Sequence, residues 1–303
     1  MVRSNPTFWQ DKAGIPGVIR EDPITELEAG QVLVKVHSWA MNPADAMLQD
    51  VALPIVKYPV ILGQDVAGIV ENVGATAASK FKKGDRVFGF SHNNGFKAYV
   101  TLNHVMTALI PDSLSFAEAS VFPLSVTTSS MSLFGKEFLA LSPPSIDATS
   151  TGKSVLIWGG SSALGSNAIQ MTKAAGYEVV TTCSARSFDY VKSLGADKAF
   201  DYSSPSVADD VATELDKGVC AGIYLAAGKT SEACQVSFKS KQKLFVASSN
   251  PVMPGDAPED VEAKMTIGSG PGPFDEIIRI TFGGFLIEAL DQGKYQVAPK
   301  PEW

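Results

Sequence analysis

The rhythm of apolar positions changes near residue 120. Before that point short runs alternate in the manner of strands. Gln31-Val32-Leu33-Val34-Lys35-Val36-His37 is one; Val66 to Gly74 reads as a strand entering a turn; Lys83 to Phe90 reads as a turn entering a strand; Phe96 to Val100 is a further strand. Glycines between these short strands predict a partly open barrel. Residues 113–141 have helical texture, opened by the capping box Ser115-Phe116-Ala117-Glu118. Ser142 to Gly152 is rich in chain breakers and predicts a surface loop.

From Ser154 the pattern becomes strand, helix, strand. Val155-Leu156-Ile157-Trp158 is a continuous apolar run, as expected of a parallel strand buried on both faces. A turn follows, Gly159-Gly160-Ser161-Ser162-Ala163-Leu164-Gly165, and then Ala168, Ile169, Met171, Thr172 and Ala175 recur at helical spacing until Gly176. Glu178 to Thr182 is the second strand. This is the layout of a dinucleotide-binding unit, in which free N–H groups at a helix N-terminus receive a pyrophosphate. Gly160 is expected to let the chain turn tightly, and Gly165 to let the helix approach the first strand. Ser162 replaces the middle glycine of the usual pattern. Gly160, Ser161, Ser162, Ala163, Leu164 and Gly165 are therefore candidate cofactor contacts.

An NAD-specific unit carries an acid at the end of the second strand. Here that end reads Thr182-Cys183-Ser184-Ala185-Arg186-Ser187, with no acid before Asp189. A hydroxyl at Ser184 and a cation at Arg186 suit a 2′-phosphate, so NADPH is expected over NADH. Ser187 is either a helix cap or a further phosphate contact.

The alternation continues. Phe188 to Leu194 is a short helix, Lys198 to Tyr202 a third strand and Val207 to Leu215 a helix. Gly222 to Ala227 and Lys243 to Ser248 are further strands; 250–273 reads as a loop and Ile277 to Leu290 as the last helix, despite Gly283-Gly284.

Composition narrows the classes. With 303 residues, 45% of them hydrophobic, the chain can fill two cores. A net charge of −7 argues against nucleic acid and anionic membranes as partners. No apolar run approaches the ~20 residues of a membrane span, and the N-terminal stretch lacks an apolar signal core. Cys183, Cys220 and Cys234 form neither a metal pattern nor an even disulfide set, so a reducing, cytoplasmic setting is expected.

Several ordered segments together resemble the medium-chain dehydrogenase/reductase superfamily. Tyr58 to Gly68 looks like its P-x-x-x-G-x-[DE]-x-x-G segment, and Lys83 to Val87 like its G-D-x-V turn. Phe96 to Val100 looks like its G-x-[FY]-A-E-Y strand, and Pro123 to Thr128 like the segment leading into the cofactor domain. The resemblance implies an α/β protein: a GroES-like β-rich domain plus a Rossmann doubly wound parallel sheet, with the active site in the cleft between. The expected boundaries are 1–123 for the first domain and 124–292 for the second, with 293–303 returning to the first. Relatives continue further at that end, so the chain is expected to be a natural short form or a truncation.

Zinc-dependent members need three protein ligands and an open position. At the matching places this chain has Asn42-Pro43-Ala44-Asp45 and Gly63-Gln64-Asp65. No metal is expected; His37, His92 and His104 lie elsewhere. Asn-Pro-x-Asp resembles the zinc-independent branch, the quinone reductases and the fungal trans-acting enoyl reductases. That implies hydride addition to an alkene conjugated to a carbonyl, in an enone or enoyl thioester, with a polyketide synthase as a candidate partner. NADPH:quinone reduction and a catalytically weak NADPH-binding protein are the alternatives.

Relatives often place Tyr or Lys where this chain has Met47, which leaves water or the cofactor ribose as the proton source and Met47 as an apolar wall. Thr128 matches a Thr that approaches the nicotinamide in relatives, or bonds its own backbone. Tyr202 stands where relatives put a ring near the adenosine phosphate, or packs at a strand end. Asn42 is a candidate catalytic group, or with Asp45 holds its own loop together.

Overall fold

The computed structural model describes residues 4–52, 56–266 and 274–302. Its contacts divide into two units, Met1–Leu124 with Lys300–Trp303, and Ser125–Pro299.

In the first unit the strands are β1 (Pro6–Gln10), β2 (Val18–Glu21), β3 (Gln31–Ala40), β4 (Val60–Ile61), β5 (Asp65–Val73), β6 (Arg86–Phe90), β7 (Tyr99–Asn103) and β8 (Thr107–Leu109). Five of them form an antiparallel sheet in the order β7-β3-β5-β6-β8, and β2-β1-β4 form a second sheet. Strand alternation turns Val32, Val34, Val66, Val70, Val87, Val100 and Leu102 into one buried cluster. Each such side chain contributes about 1.5–3 kcal/mol by leaving water. Register shifts between Leu33/Val34 and Val36/Ser38 mark bulges that bend β3 along β5. Helix α1 (Pro43–Asp50) starts after Asn42 with Pro43 in its first turn, where a missing N–H costs nothing. Helix α2 (Phe116–Ser120) begins with the expected capping box: Glu118 N–H donates to Ser115 Oγ at 3.2 Å and Ser115 N–H to the Glu118 carboxylate at 2.9 Å. Helix α3 (Pro123–Phe134) follows.

The second unit is built on β9 (Lys153–Trp158), α4 (Ala163–Ala174), β10 (Glu178–Cys183), α5 (Phe188–Ser193), β11 (Lys198–Asp201), α6 (Val207–Leu215), β12 (Val219–Leu225), α7 (Thr230–Lys239), β13 (Val246–Ser248) and β14 (Ala263–Met265). Helices α8 (Phe274–Ile280) and α9 (Leu286–Asp291) close it. Among the described residues the sheet order is β11-β10-β9-β12-β13-β14, every pairing parallel. The chain leaves β9 toward one edge and returns beside it for the other, so the order reverses between β9 and β12, where such folds bind ligands. Val155, Leu156 and Ile157 are fully buried, as their unbroken apolar run requires. Gly176 ends α4 at φ +83°, where a Cβ would lie 2.1 Å from the carbonyl of Thr149.

Three expectations change. The stretch 250–273 contains β14, a three-residue edge strand too short to show a period; 267–273 lie outside the described residues. The last helix is interrupted: α8 passes into a π-helical segment, Thr281–Phe285, and then α9, with Gly283-Gly284 inside the widened turn. The residues after Gly293 do not all return to the first unit. Tyr295 Oη donates to Asn167 Oδ1 at 2.9 Å, Gln296 N–H to Gln170 Oε1 at 2.7 Å, and Asn167 Nδ2 to the carbonyl of Ala298 at 2.8 Å. Those buried amides on α4 need partners, and this segment supplies them. The three cysteines are free and buried. No helix among the described residues is long and apolar enough to cross a membrane.

Candidate active site

In the second unit the site begins where β9 ends. Gly159 has φ +85°, and it is this residue, not Gly160, that takes the left-handed turn. Sequence reasoning placed that role one residue late, because adjacent glycines carry no other local signal. Gly160 is needed for close approach instead: a Cβ there would stand 2.1 Å from Thr181 Oγ1. Thr182 pins the turn, accepting Gly159 N–H on its hydroxyl at 3.1 Å and Gly160 N–H on its carbonyl at 2.8 Å. Gly165 faces the turn across a gap in which a Cβ would lie 2.3 Å from the Gly159 carbonyl oxygen and 2.6 Å from Gly160 Cα. Ser162 caps α4, its Oγ accepting Gly165 N–H at 3.0 Å and donating to the Gly159 carbonyl at 2.8 Å. The serine in the middle-glycine position thus closes the turn onto the helix. Ala163 and Leu164 stand in the first turn of α4, where N–H groups have no acceptor within the helix. Ser161, Ser162 and Leu164 are half-buried and Ala163 exposed, so this rim faces outward. A glycine turn against a helix N-terminus could receive a pyrophosphate, and its close packing requires glycine, because protein atoms already stand where a Cβ would be.

The ends of β10 and β11 lie side by side, Cys183 opposite Asp201. Ser184 is half-buried with its Oγ 3.2 Å from Ser187 Oγ. Ser187 precedes α5 without a side-chain cap bond. Arg186 is exposed and enters none of the ion pairs among the described residues. Tyr202 follows β11, half exposed, and its N–H donates to the carbonyl of Cys183 at 3.3 Å. The structure therefore brings Ser184, Arg186 and Tyr202 to one corner. The nearby Asp201 carboxylate is engaged by Ser203 N–H and Oγ at 2.9 and 2.8 Å, which hold its pKa below the usual range.

Thr128 is half-buried on α3, and its carbonyl accepts from Ser132 Oγ at 3.0 Å. Its neighbour Ser129 donates to the carbonyl of Leu164 at 3.0 Å, and Ser125 Oγ accepts from Asn167 Nδ2 at 3.1 Å. The buried serines of α3 thus lie against α4 just behind the turn.

In the first unit the side chains at the end of β3 and the start of β5 form a second centre. Asp65 is 1% exposed. Its Oδ2 accepts from Asn42 Nδ2 at 3.0 Å and its Oδ1 from Leu124 N–H at 2.7 Å. Asp45 holds the backbone beside it, accepting Asn42 N–H at 2.8 Å and Gly63 N–H at 3.1 Å. Burial pushes the Asp65 carboxyl up to about 7, against the pull of its bonds to Asn42 and Leu124, and the Asp45 charge pushes the same way. Burial also raises Asp45. Met47, on α1, is about half exposed and offers an apolar surface. Asp65 was not among the candidate site residues; its place in the G-x-[DE] segment was the available signal. Catalytic zinc takes three protein ligands. Here Asn42 and Gln64 are amides, Asp45 and Asp65 already accept N–H bonds, and no group of three His, Cys, Asp or Glu among the described residues is disposed to hold a metal ion.

Residues 28–112 match the alcohol dehydrogenase GroES-like domain, and 163–255 the zinc-binding dehydrogenase domain. A dehydrogenase of Aspergillus niger is 38% identical over 304 residues, covering 94% of this chain and 87% of the relative. This chain belongs to the medium-chain dehydrogenase/reductase superfamily. A second member, a trans-enoyl reductase of Aspergillus japonicus, is 36% identical over 310 residues, 98% of this chain and 89% of that one. The fold of this chain is shared with an alcohol dehydrogenase superfamily protein from Novosphingobium aromaticivorans, at a TM-score of 0.75 and 25% identity over 96% of this chain and 88% of that one. The GroES-like plus Rossmann α/β architecture expected from the motifs is the architecture found.

Proposed function

We propose that this oxidoreductase reduces an activated carbon–carbon double bond, in an enone or enoyl thioester, with NADPH and without zinc. The observation that carries the reading is the combination in one chain of a pyrophosphate cradle at Gly159–Gly165 with a centre whose donors are an amide and backbone N–H groups in place of metal ligands. The relative from Aspergillus japonicus, named a trans-enoyl reductase, supports it.

The N–H groups of Ser161, Ala163 and Leu164 would receive the pyrophosphate. Ser184 and Arg186 would bind the 2′-phosphate by charge-assisted bonds, beside the Tyr202 ring. When bound, NADPH supplies a hydride for the β-carbon. Thr128 would lie toward the nicotinamide end, as its place in the family segment implies. The substrate carbonyl oxygen gains charge as the β-carbon is reduced, and a fixed donor such as the Asn42 amide lowers that barrier. Met47 carries no titratable proton, so it serves as an apolar wall and the α-carbon takes its proton from water. An enoyl thioester of this kind is an intermediate held by a polyketide synthase, which is the partner this reading names.

NADPH oxidation measured against a panel of enones, enoyl thioesters and quinones tests the reading. Turnover of the conjugated alkenes is expected. Turnover of quinones alone would establish a quinone reductase in its place.

A further inference from the structure

Asp65 poses a question that the fold does not answer. It begins β5 between Ala40 of β3 and Phe90 of β6, where an uncharged residue would pair equally well. A carboxylate buried there is costly unless a cation pairs with it, and none of the ion pairs among the described residues includes it; its neighbouring charge is Asp45, of the same sign. An asparagine would occupy the same space and accept the same Leu124 N–H without the penalty. The difference lies in what each can offer Asn42. An ionised carboxylate, the form that Asp65 takes above about pH 7, only accepts, whereas an amide also donates.

The second partner of that carboxylate is a half-buried amide, and it is gripped twice. Its Nδ2 donates to Asp65 at 3.0 Å, and its main-chain N–H donates to Asp45 at 2.8 Å. The amide oxygen lies toward the Asp45 N–H in the capping box that opens α1, which turns the nitrogen toward Asp65. With an acceptor-only partner on one side, nitrogen is the atom held in place. Its second hydrogen has no partner among the described residues.

We propose that Asp65 is a positioning residue that acts through Asn42, holding the amide so that its free N–H, and not its oxygen, meets the carbonyl oxygen of the substrate. This rests on the reading above in taking a carbonyl compound as substrate, and it holds equally for an enone, an enoyl thioester or a quinone. The charge of Asp65 is kept for the orientation that it imposes; Asp45 supplies the anchorage of the backbone.

The test is a double-mutant cycle of Asp65→Asn and Asn42→Ala, assayed with whichever acceptor the wild type reduces. Each single variant should lower kcat at least tenfold, loss of one fixed donor to a developing oxyanion costing about 100- to 1,000-fold where the donor is fully engaged. KM for NADPH should not change. The double variant should lose no more than Asn42→Ala alone, because the two act as one unit. Multiplicative losses, or an Asp65→Asn variant within twofold of wild type, would overturn the proposal. Turnover of quinones but not enoyl compounds would defeat the reading above while leaving the cycle to be run on the quinone. A measurement independent of turnover is the side-chain amide pair of Asn42 in a 15N–1H spectrum. One of its protons should be protected from exchange in the wild type and lose that protection in Asp65→Asn. Identical Asn42 signals in both proteins would overturn the proposal, whatever the activity.

Discussion

A Cβ on Gly165 would lie 2.3 Å from the carbonyl oxygen of Gly159, well inside van der Waals contact. The helix can reach the turn at this distance because the residue has no side chain. Gly165→Val must therefore push α4 away from the turn and displace the N–H groups that it presents. Loss of NADPH binding by titration is the expected result, with some loss of stability. Unchanged affinity would mean that the turn is not the pyrophosphate site.

Arg186 is exposed at the end of β10 and enters none of the ion pairs among the described residues. NADPH should bind at least tenfold more tightly than NADH, a preference of about 1.4 kcal/mol. Arg186→Ala should erode that preference and leave NADH affinity nearly as it was. Calorimetric titration of both cofactors against both proteins checks it, and equal wild-type affinities would defeat the assignment.

Asn42 and Gln64 are poor ligands for zinc. Purified protein should hold no stoichiometric zinc by elemental analysis, and chelators should leave activity intact. One zinc per chain would place this chain in the metal-dependent branch.

The Asp65 carboxyl, pushed up by burial from its ordinary value of 3.8 to about 7, makes stability depend on pH. Between those values the folded state binds the proton that the unfolded chain has released. Stability is therefore greatest below pH 4 as far as this group is concerned, and falls as pH rises toward 7, by up to about 4 kcal/mol. Burial shifts Asp45 in the same direction. Asp65→Asn removes the Asp65 part. Thermal melts should show the variant more stable than wild type at pH 8, with the gap closing toward pH 4. A variant that is less stable at pH 8 would contradict this.

Much of the fold could be read from residues whose local chemistry has one outcome. Val155 to Trp158 has no polar face to expose, so it becomes a strand covered on both sides. Ser115 and Glu118 cap the same turn from both ends. Elsewhere the deciding term lies outside the local segment. β2 is exposed along its whole length and is a strand only because β1 pairs with it, which no periodicity can announce. Met253 to Met265 shows no period either, and β14 forms because β13 offers it a parallel edge. At the site, the glycine spacing marked the turn, but the division of work between Gly159 and Gly160 depends on Thr181 and Thr182, more than twenty residues away. Asp65 shows the same limit. Its neighbours Asn42 and Leu124 are separated from it by 23 and 59 residues, so the pairing exists only in the folded chain.

The grip of Tyr295, Gln296 and Ala298 on α4 has a consequence for the order of events during synthesis. Asn167 and Gln170 are made early, and the groups that satisfy them follow more than 120 residues later. Until those arrive, α4 carries amides whose native partners are still to be translated, and water must stand in for them. The helix is thus made first and its polar flank completed more than 120 residues later, and a ribosome that stalls between the two leaves that flank open.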